Sequence, residues 1–189
     1  MNIQVYKKSN PVLFDRAIQD MQAMFEHNFA WLTYVFGRAH KLVKTFDGKN
    51  YEYPAVFIGN NEYHSVLPDD LKGNFLFFEV DDPQDFISLG PGIIKSSLSI
   101  SFAIVIWYAL NTVYNTPNLH MGEDVKNDIL QALNKPGVFS NGHLRIVRVY
   151  EKPENIFRGY SLKQIDNQYL MFPYNGLRIE CEFKIREVC

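Results

Sequence analysis

Side chains capable of chemistry are scattered along this sequence, and their spacing matches no common catalytic or metal-binding motif. None of the five histidines has a second histidine or a cysteine at metal-ligand spacing. The Gly-x-Ser-x-Gly, Walker and Gly-x-Gly-x-x-Gly patterns do not occur. We therefore predict no catalytic, cofactor-binding or metal-binding residues and a protein that is not an enzyme. Folding could still gather a site from distant residues.

Cys181 and two pairs of adjacent acids are the remaining candidates for chemistry. Cys181 with a distant histidine would make a nucleophile and its base, but its place in an apolar row is more typical of a core cysteine. Asp69-Asp70 and Asp81-Asp82 stand beside predicted loops, where neighbouring side chains point apart. We interpret these acids as solvated loop charges rather than as an acid/base pair.

The last part of the chain alternates strictly between apolar and charged residues. The apolar set is Leu177, Ile179, Cys181, Phe183 and Ile185, and the charged set is Arg178, Glu180, Glu182, Lys184 and Arg186. Successive side chains of a strand point to opposite faces, so this pattern predicts a β-strand over 177–186 with one buried and one charged face. A shift of one residue would bury the charges, so the pattern also fixes the strand register.

The charged row has two interpretations. The first, more common for such faces, is the solvated side of an antiparallel sheet. The second is a contact surface between copies of one protein, because complementary charges select partner and orientation even where they contribute little affinity. Aromatic residues nearby, Tyr174 among them, would supply contact area. The candidate self-association surface consists of Arg178, Glu180, Glu182, Lys184, Arg186 and Tyr174.

Two helices and several strands must position this surface. Asn10-Pro11 and the spacing of the apolar residues after it predict a helix from Pro11 to Asn28. A second helix is predicted from Gly122 to Asn134, with acids in its first turn. Asp47-Gly48 between two strand-like runs predicts a β-hairpin. Further strands are predicted at 74–81, 97–110 and 144–150, and Asn175-Gly176 is predicted to form a turn.

These elements predict the fold class. Runs of strands with only two helices indicate an α+β fold in which a mostly antiparallel β-sheet packs against two α-helices. We expect a single domain over residues 1–189, with an extended loop near residues 59–73.

Composition restricts the classes of partner. The formal net charge of −2 argues against binding to duplex nucleic acid, which requires a basic surface. The 2 cysteines do not form a disulfide framework and predict a reducing compartment. The apolar run 102–110 is shorter than the roughly 20 residues of a membrane-spanning helix, so we expect no membrane partner.

The order of elements resembles that of bacteriophage tail-terminator and tail-completion proteins, which belong to the neck, or head–tail joining, region. The resemblance rests on an N-terminal amphipathic helix, a long hydrophobic strand, a helix beginning Glu-Asp-Val-Lys and a charged, alternating final strand. The segments that carry it are Tyr53-Pro54-Ala55-Val56, Glu123–Asn134, Asn155–Tyr160 and Met171–Arg178.

The resemblance implies a tail-terminator-like fold and a structural virion protein without cofactors. Such proteins form a ring, usually a hexamer, on the last ring of the tail tube and join the tail to the head connector. The implied partners are identical copies, the tail-tube protein and head-connector proteins. DNA would pass through the lumen without sequence-specific binding, and the protein would reside in the virion after assembly in the bacterial cytoplasm.

Three alternatives remain at this point. One is a head–tail connector ring protein that binds on the portal side. A second, from a different class, is a small-molecule-binding α+β domain or enzyme with an aromatic-lined pocket. A third is a cytoplasmic scaffold unrelated to phage.

Overall fold

The computed structural model describes residues 3–69, 71–82, 84–88 and 96–186. Its strands are β1 (Gln4–Val5), β2 (Tyr34–Phe46), β3 (Lys49–Gly59), β4 (Glu62–Ser65), β5 (Phe75–Val80), β6 (Asp85–Ser88), β7 (Ser96–Ala109), β8 (Gly142–Tyr150) and β9 (Tyr174–Arg186). Its helices are α1 (Phe14–Asn28), α2 (Leu110–Val113), α3 (Met121–Leu133) and α4 (Pro153–Ile156), and short 3-10 turns lie at Leu162–Gln164 and Asn167–Leu170.

All nine strands of the described ranges belong to one sheet, whose main path is β4-β3-β2-β5-β7-β9-β8. β1 pairs with β2, and β6 pairs with β7 beside this path. The β1–β2 and β2–β5 pairs are parallel and the others are antiparallel. The predicted α+β class with a mostly antiparallel sheet is therefore confirmed. The expectation of two helices is corrected to two long helices, α1 and α3, and two single-turn helices, α2 and α4.

The inner face of the sheet packs against α1 and α3. The apolar row of β9 lies here as predicted, with each of its five side chains at most 3% exposed. Phe14 of α1 meets the Phe102 ring of β7 edge-on at 4.8 Å between ring centroids. Burying side chains of this size removes enough apolar surface to stabilise the layer by roughly 1.5–3 kcal/mol per residue.

The outer face of the sheet carries a second, smaller core. Segment 153–170 crosses this face and packs apolar side chains against β5 and β7. Phe157 lies 5.5 Å from Trp107 between ring centroids, and both are buried. The central strands are thus covered on both faces along part of their length. This packing contradicts the prediction of one fully wet face along β9.

Two turns and one helix start differ in detail from the predictions. The Asp47-Gly48 hairpin is confirmed, with φ of 50° and 68° at these residues. The expected loop at 59–73 instead contains β4, which pairs with β3 across a turn with positive φ at Asn60 and Asn61. Helix α1 begins at Phe14 rather than at Pro11. Residues 175–176 lie within β9 rather than in a turn.

Candidate self-association surface

The outer face of β9 is positioned by its pairing with β7 and β8. Side chains directly opposite one another on adjacent strands point to the same face. Arg178 lies opposite Val105 of β7 and Tyr150 of β8. Glu182, two positions further along the same row, lies opposite Ser101 and Arg145. The charged row of β9 therefore runs from a covered end at Arg178 to an open end at Lys184.

Arg178 is buried, with a side chain that is 2% exposed, and the prediction that it lies on a solvated surface is wrong. Its Nη1 donates to Glu79 Oε2 at 2.5 Å and to the Ile156 carbonyl oxygen at 3.5 Å. Its Nε lies 3.7 Å from Glu180 Oε1. Arg178 is buried because segment 153–170 covers this end of the row. The carboxylates of Glu79 and Glu180 balance the charge of the covered guanidinium group.

Two residues of the covering segment complete this ionic cluster, which we define as Glu79, Arg158, Tyr160, Arg178 and Glu180. The Tyr160 hydroxyl donates to Glu79 Oε1 at 2.8 Å, and Arg158 Nη2 lies 2.5 Å from Glu180 Oε1. Burial, together with the Glu79 carboxylate, raises the pKa of the Tyr160 hydroxyl above its usual range. Tyr160 therefore stays protonated, and its hydrogen bond to Glu79 connects segment 153–170 to β5 of the sheet.

Asp81 lies at the border between the ionic cluster and solvent. Its backbone N–H donates to the Ser101 carbonyl oxygen at 3.0 Å, at the end of β5. Burial raises the pKa of the Asp81 carboxyl above its usual range. Arg178 and Arg158 oppose this rise, whereas Glu79 and Glu180 add to it. The charged form of Asp81 is thus disfavoured in the folded protein.

We expect Asp81→Asn to stabilise the protein at neutral pH. A carboxyl whose pKa is higher in the folded state contributes its full stability below the unfolded pKa of about 3.9, and loses it as the pH rises through the folded pKa. The free energy of unfolding of the variant should exceed that of the wild type at about pH 7, and the difference should close towards pH 4.

Urea unfolding across this pH range measures the effect, with Asp85→Asn as the matched control because Asp85 is exposed. The control should follow the wild type throughout. A wild type more stable than Asp81→Asn at neutral pH would mean that Arg178 outweighs burial at this carboxylate.

The open end of the outer face forms what we call the open patch: Ser99, Ser101, His143, Arg145, Glu182 and Lys184. Arg145 Nη1 lies 3.4 Å from Glu182 Oε2, and the Ser99 hydroxyl donates to Glu182 Oε1 at 2.9 Å. The Arg145 side chain is 73% exposed, and Lys184 is also exposed. Glu182 and Lys184 therefore lie where the prediction put them.

The remaining predicted surface residues are placed differently. Glu180 is mostly covered, with a side chain 14% exposed. Tyr174 packs edge-on against Tyr169 at 5.1 Å between ring centroids, beside the second core. Arg186 pairs with Ser97 through the strand register, and its side chain lies outside the described residues. The structure thus brings Glu182 and Lys184 together on open surface, and places Arg178, Glu180 and Tyr174 among internal contacts.

The other candidates for chemistry are explained by packing. Cys181 is 2% exposed, and burial raises the pKa of its thiol to about 12, so it remains a protonated core side chain. Asp69 accepts hydrogen bonds from the backbone N–H groups of Leu71 and Lys72 and shapes its own loop. Asp70 lies outside the described residues. Among the described residues, no group of three or more His, Cys, Asp or Glu side chains is arranged to hold a metal ion.

Sequence reasoning missed Glu79, Arg158 and Tyr160. Glu79 follows four buried residues, Phe75 to Phe78, in a central strand. An acid in such a position requires a partner, because an unpaired buried charge is strongly unfavourable. The need for a partner could therefore have indicated an ion pair at Glu79, but the sequence does not identify the cation.

The described part of the chain contains no helix with the length and apolar character needed to cross a membrane. Its longest helix, α1, has 15 residues and is polar on one side. No protein-family model matches the sequence, and no curated protein matches it.

Proposed function

We propose that this chain is a structural protein that associates with copies of itself into a ring, as tail-terminator and tail-completion proteins do at the end of a bacteriophage tail tube. The support is the resemblance in element order together with the open patch. The proposed fold is tail-terminator-like, the proposed ring is a hexamer, and the protein needs no cofactor and performs no catalysis.

The open patch is the single observation that carries the proposal. It presents both signs of charge, with Arg145 and Lys184 exposed beside the half-exposed Glu182. These side chains stand on two hydrogen-bonded strands, β8 and β9, so their spacing is rigid. Rigid, mixed charges suit a contact that must select orientation and register, which is what a closed ring requires of each subunit.

The sheet geometry agrees with a head-to-tail contact. Its main path ends at β4 on one side and at β8 on the other. When two different surfaces of one protein meet head to tail, a ring forms if the rotation between neighbours closes. β8 carries exposed arginines and an irregularity between Ile146 and Arg148, which discourage indiscriminate strand addition. Contact through side chains of the open patch is therefore favoured over backbone pairing.

We expect the double variant Arg145→Glu, Lys184→Glu to fold normally and to lose self-association. Both changes lie on exposed surface, where the lost Arg145–Glu182 pair and the new like-charge contacts with Glu182 should each cost about 1 kcal/mol or less and leave the fold intact. Reversing both charges removes the charge complementarity that the proposed contact needs, and should weaken association at least about ten-fold. Sedimentation velocity over a concentration series measures association, and urea unfolding measures the fold.

The matched control is Lys135→Glu, which reverses an exposed charge just after α3, on the helical side of the sheet. It should associate like the wild type. Normal association of the double variant, or equal loss in the control, would mean that the open patch is not the contact.

The place of the ring in the virion has a separate test. The proposed neighbours are the tail-tube protein on one side and head-connector proteins on the other. DNA would pass through the lumen without sequence-specific binding. We expect the assembled protein to cosediment with purified tail tubes. Binding to a portal ring without binding to tubes would instead indicate a connector protein. The proposed location is the virion tail, after assembly in the bacterial cytoplasm.

A further inference from the structure

A cleft of about 570 Å³ lies at a fork in the sheet. β2 pairs with β1 through Val35 and with β3 from Ala39 onward. Between these two ladders, residues 36–38 have no partner on this edge among the described strands. Beyond Val56, β3 pairs with β4 on its other edge but has no partner in β2. The cleft is lined by the segment after β1 and by residues of β2, β3 and α1.

The floor of this fork cleft is apolar and fixed. Ile18 of α1 and Val56 of β3 line it, and both are buried. Gln22 lines it as well and is 1% exposed. Its Nε2 donates to the Tyr6 and Phe36 carbonyl oxygens at 2.8 and 3.0 Å, which holds α1 to both β1 and β2. A cavity of this size and character falls in the range of small-molecule sites.

The rim of the fork cleft is cationic. Lys7, Lys8 and Arg38 line it beside Asp15, and Lys7 is already paired with Glu26, at 3.3 Å between Nζ and Oε2. Arg38 Nη1 lies 3.8 Å from Asp15 Oδ1, and the Lys8 ammonium pairs with the other oxygen of the same carboxylate. Asp15 therefore gathers two cations at one point and neutralises only one of their charges. Arg38 offers five N–H donors and Lys8 three, so both keep donors for an incoming anion.

We propose that the fork cleft binds a small organic phosphate. The phosphate would bind Lys8 and Arg38 at the rim, and the organic part would lie on the apolar floor at Ile18 and Val56. Guanidinium and ammonium groups together suit phosphate oxygens, through paired hydrogen bonds from Arg and a point charge from Lys. The half-exposed rim side chains are accessible from solvent, at 57% exposed for Lys8 and 40% for Arg38. This site is independent of the proposed ring contact.

Isothermal titration with inorganic phosphate and with phenyl phosphate tests the proposal on the full chain. We expect one saturable site, with tighter binding of phenyl phosphate because its ring removes apolar surface from water. Arg38→Gln should weaken both ligands about ten-fold or more, since it removes a charge-assisted contact. Lys44→Gln, an exposed lysine on the β2–β3 hairpin, should bind both ligands like the wild type.

A steric variant tests the cleft itself without changing charge. Gly37 lines the cleft, and a Cβ placed there meets only the Tyr6 carbonyl oxygen within 4 Å, at 3.6 Å. Valine is suited to a strand, so the Gly37→Val variant should fold, and its side chain should occupy part of the cleft. We expect it to weaken the binding of phenyl phosphate more than that of inorganic phosphate.

Three results would each overturn the proposal. The first is the absence of saturable binding of either phosphate. The second is an equal effect of Arg38→Gln and Lys44→Gln. The third is binding of benzoate as tight as that of phenyl phosphate, which would show recognition of carboxylates instead. None of these results bears on self-association, so failure here is distinguishable from failure of the proposed function.

Discussion

Arg178→Ala is expected to destabilise the folded protein by about 3–5 kcal/mol, because it leaves Glu79, a mostly covered carboxylate, without its cation. Glu79 would lose its ion pair with Arg178 and keep only the Tyr160 hydroxyl as a side-chain donor. Glu180 would keep Arg158 alone. Folded domains are stable by only about 5–15 kcal/mol, so the loss should be plain in urea unfolding followed by circular dichroism.

The control for this variant is Lys184→Ala, on the same strand and the same face but exposed. It should change the free energy of unfolding by no more than about 0.5 kcal/mol. A double variant, Arg178→Met with Glu79→Gln, should recover much of the stability lost in Arg178→Ala, because it removes both partners of a buried pair together. Equal, small effects of Arg178→Ala and Lys184→Ala would mean that Arg178 is solvated and the ionic cluster does not exist.

The second large effect is expected from Phe183→Asp, which should prevent folding. Phe183 is 0% exposed and lies in the inner core, between Phe14 of α1 and Phe139 of the connection from α3 to β8. Its ring centroid lies 5.2 Å from that of Phe139 and 5.7 Å from that of Phe14. The described residues of the inner core are apolar, so a carboxylate here would be unpaired. The cost of burying an unpaired charge exceeds the free energy of unfolding of an ordinary domain.

Near-ultraviolet circular dichroism and amide hydrogen exchange measure the result for Phe183→Asp, which should show neither fixed aromatic packing nor protected amides. Phe183→Leu is the control, since it keeps an apolar side chain and should remain folded at reduced stability. A folded Phe183→Asp would place the apolar row of β9 outside the core and reverse the two faces of the sheet.

The alternation of β9 was sufficient to predict its strand and its inner face. Each apolar residue of the row is buried in the inner core. The side chains of a strand point to only two faces, and only the apolar face can be buried in the core. The Asp47-Gly48 hairpin was predictable for a similar local reason, since positive φ at two successive residues needs such a pair.

The outer face could not be predicted in the same way, because its burial depends on contacts distant in sequence. Arg178 meets Glu79, 99 residues earlier in the chain. The covering segment 153–170 is polar enough to read as a surface connection, yet its Ile156 and Phe157 are buried. Charged residues of an alternating strand look alike from sequence, so the buried Arg178 and the exposed Lys184 were indistinguishable.

The fork cleft was equally beyond the sequence. It arises because β2 leaves β1 and joins β3 within a few residues, a change of partner that no local pattern records. Its cations come from the segment after β1 and from β2, and its carboxylate from α1.

The start of α1 was also mispredicted. Pro11 suits a first helical position, but Leu13, with φ of 50°, interrupts the chain before Phe14.

Electron micrographs of the purified chain test the central claim most directly, because a ring-forming subunit should assemble without other proteins. We expect closed rings of uniform diameter, with six subunits in averaged top views, that disappear in the Arg145→Glu, Lys184→Glu variant and persist in Lys135→Glu. Particles the size of a single chain at every protein concentration, in the wild type as in the variants, would contradict the account.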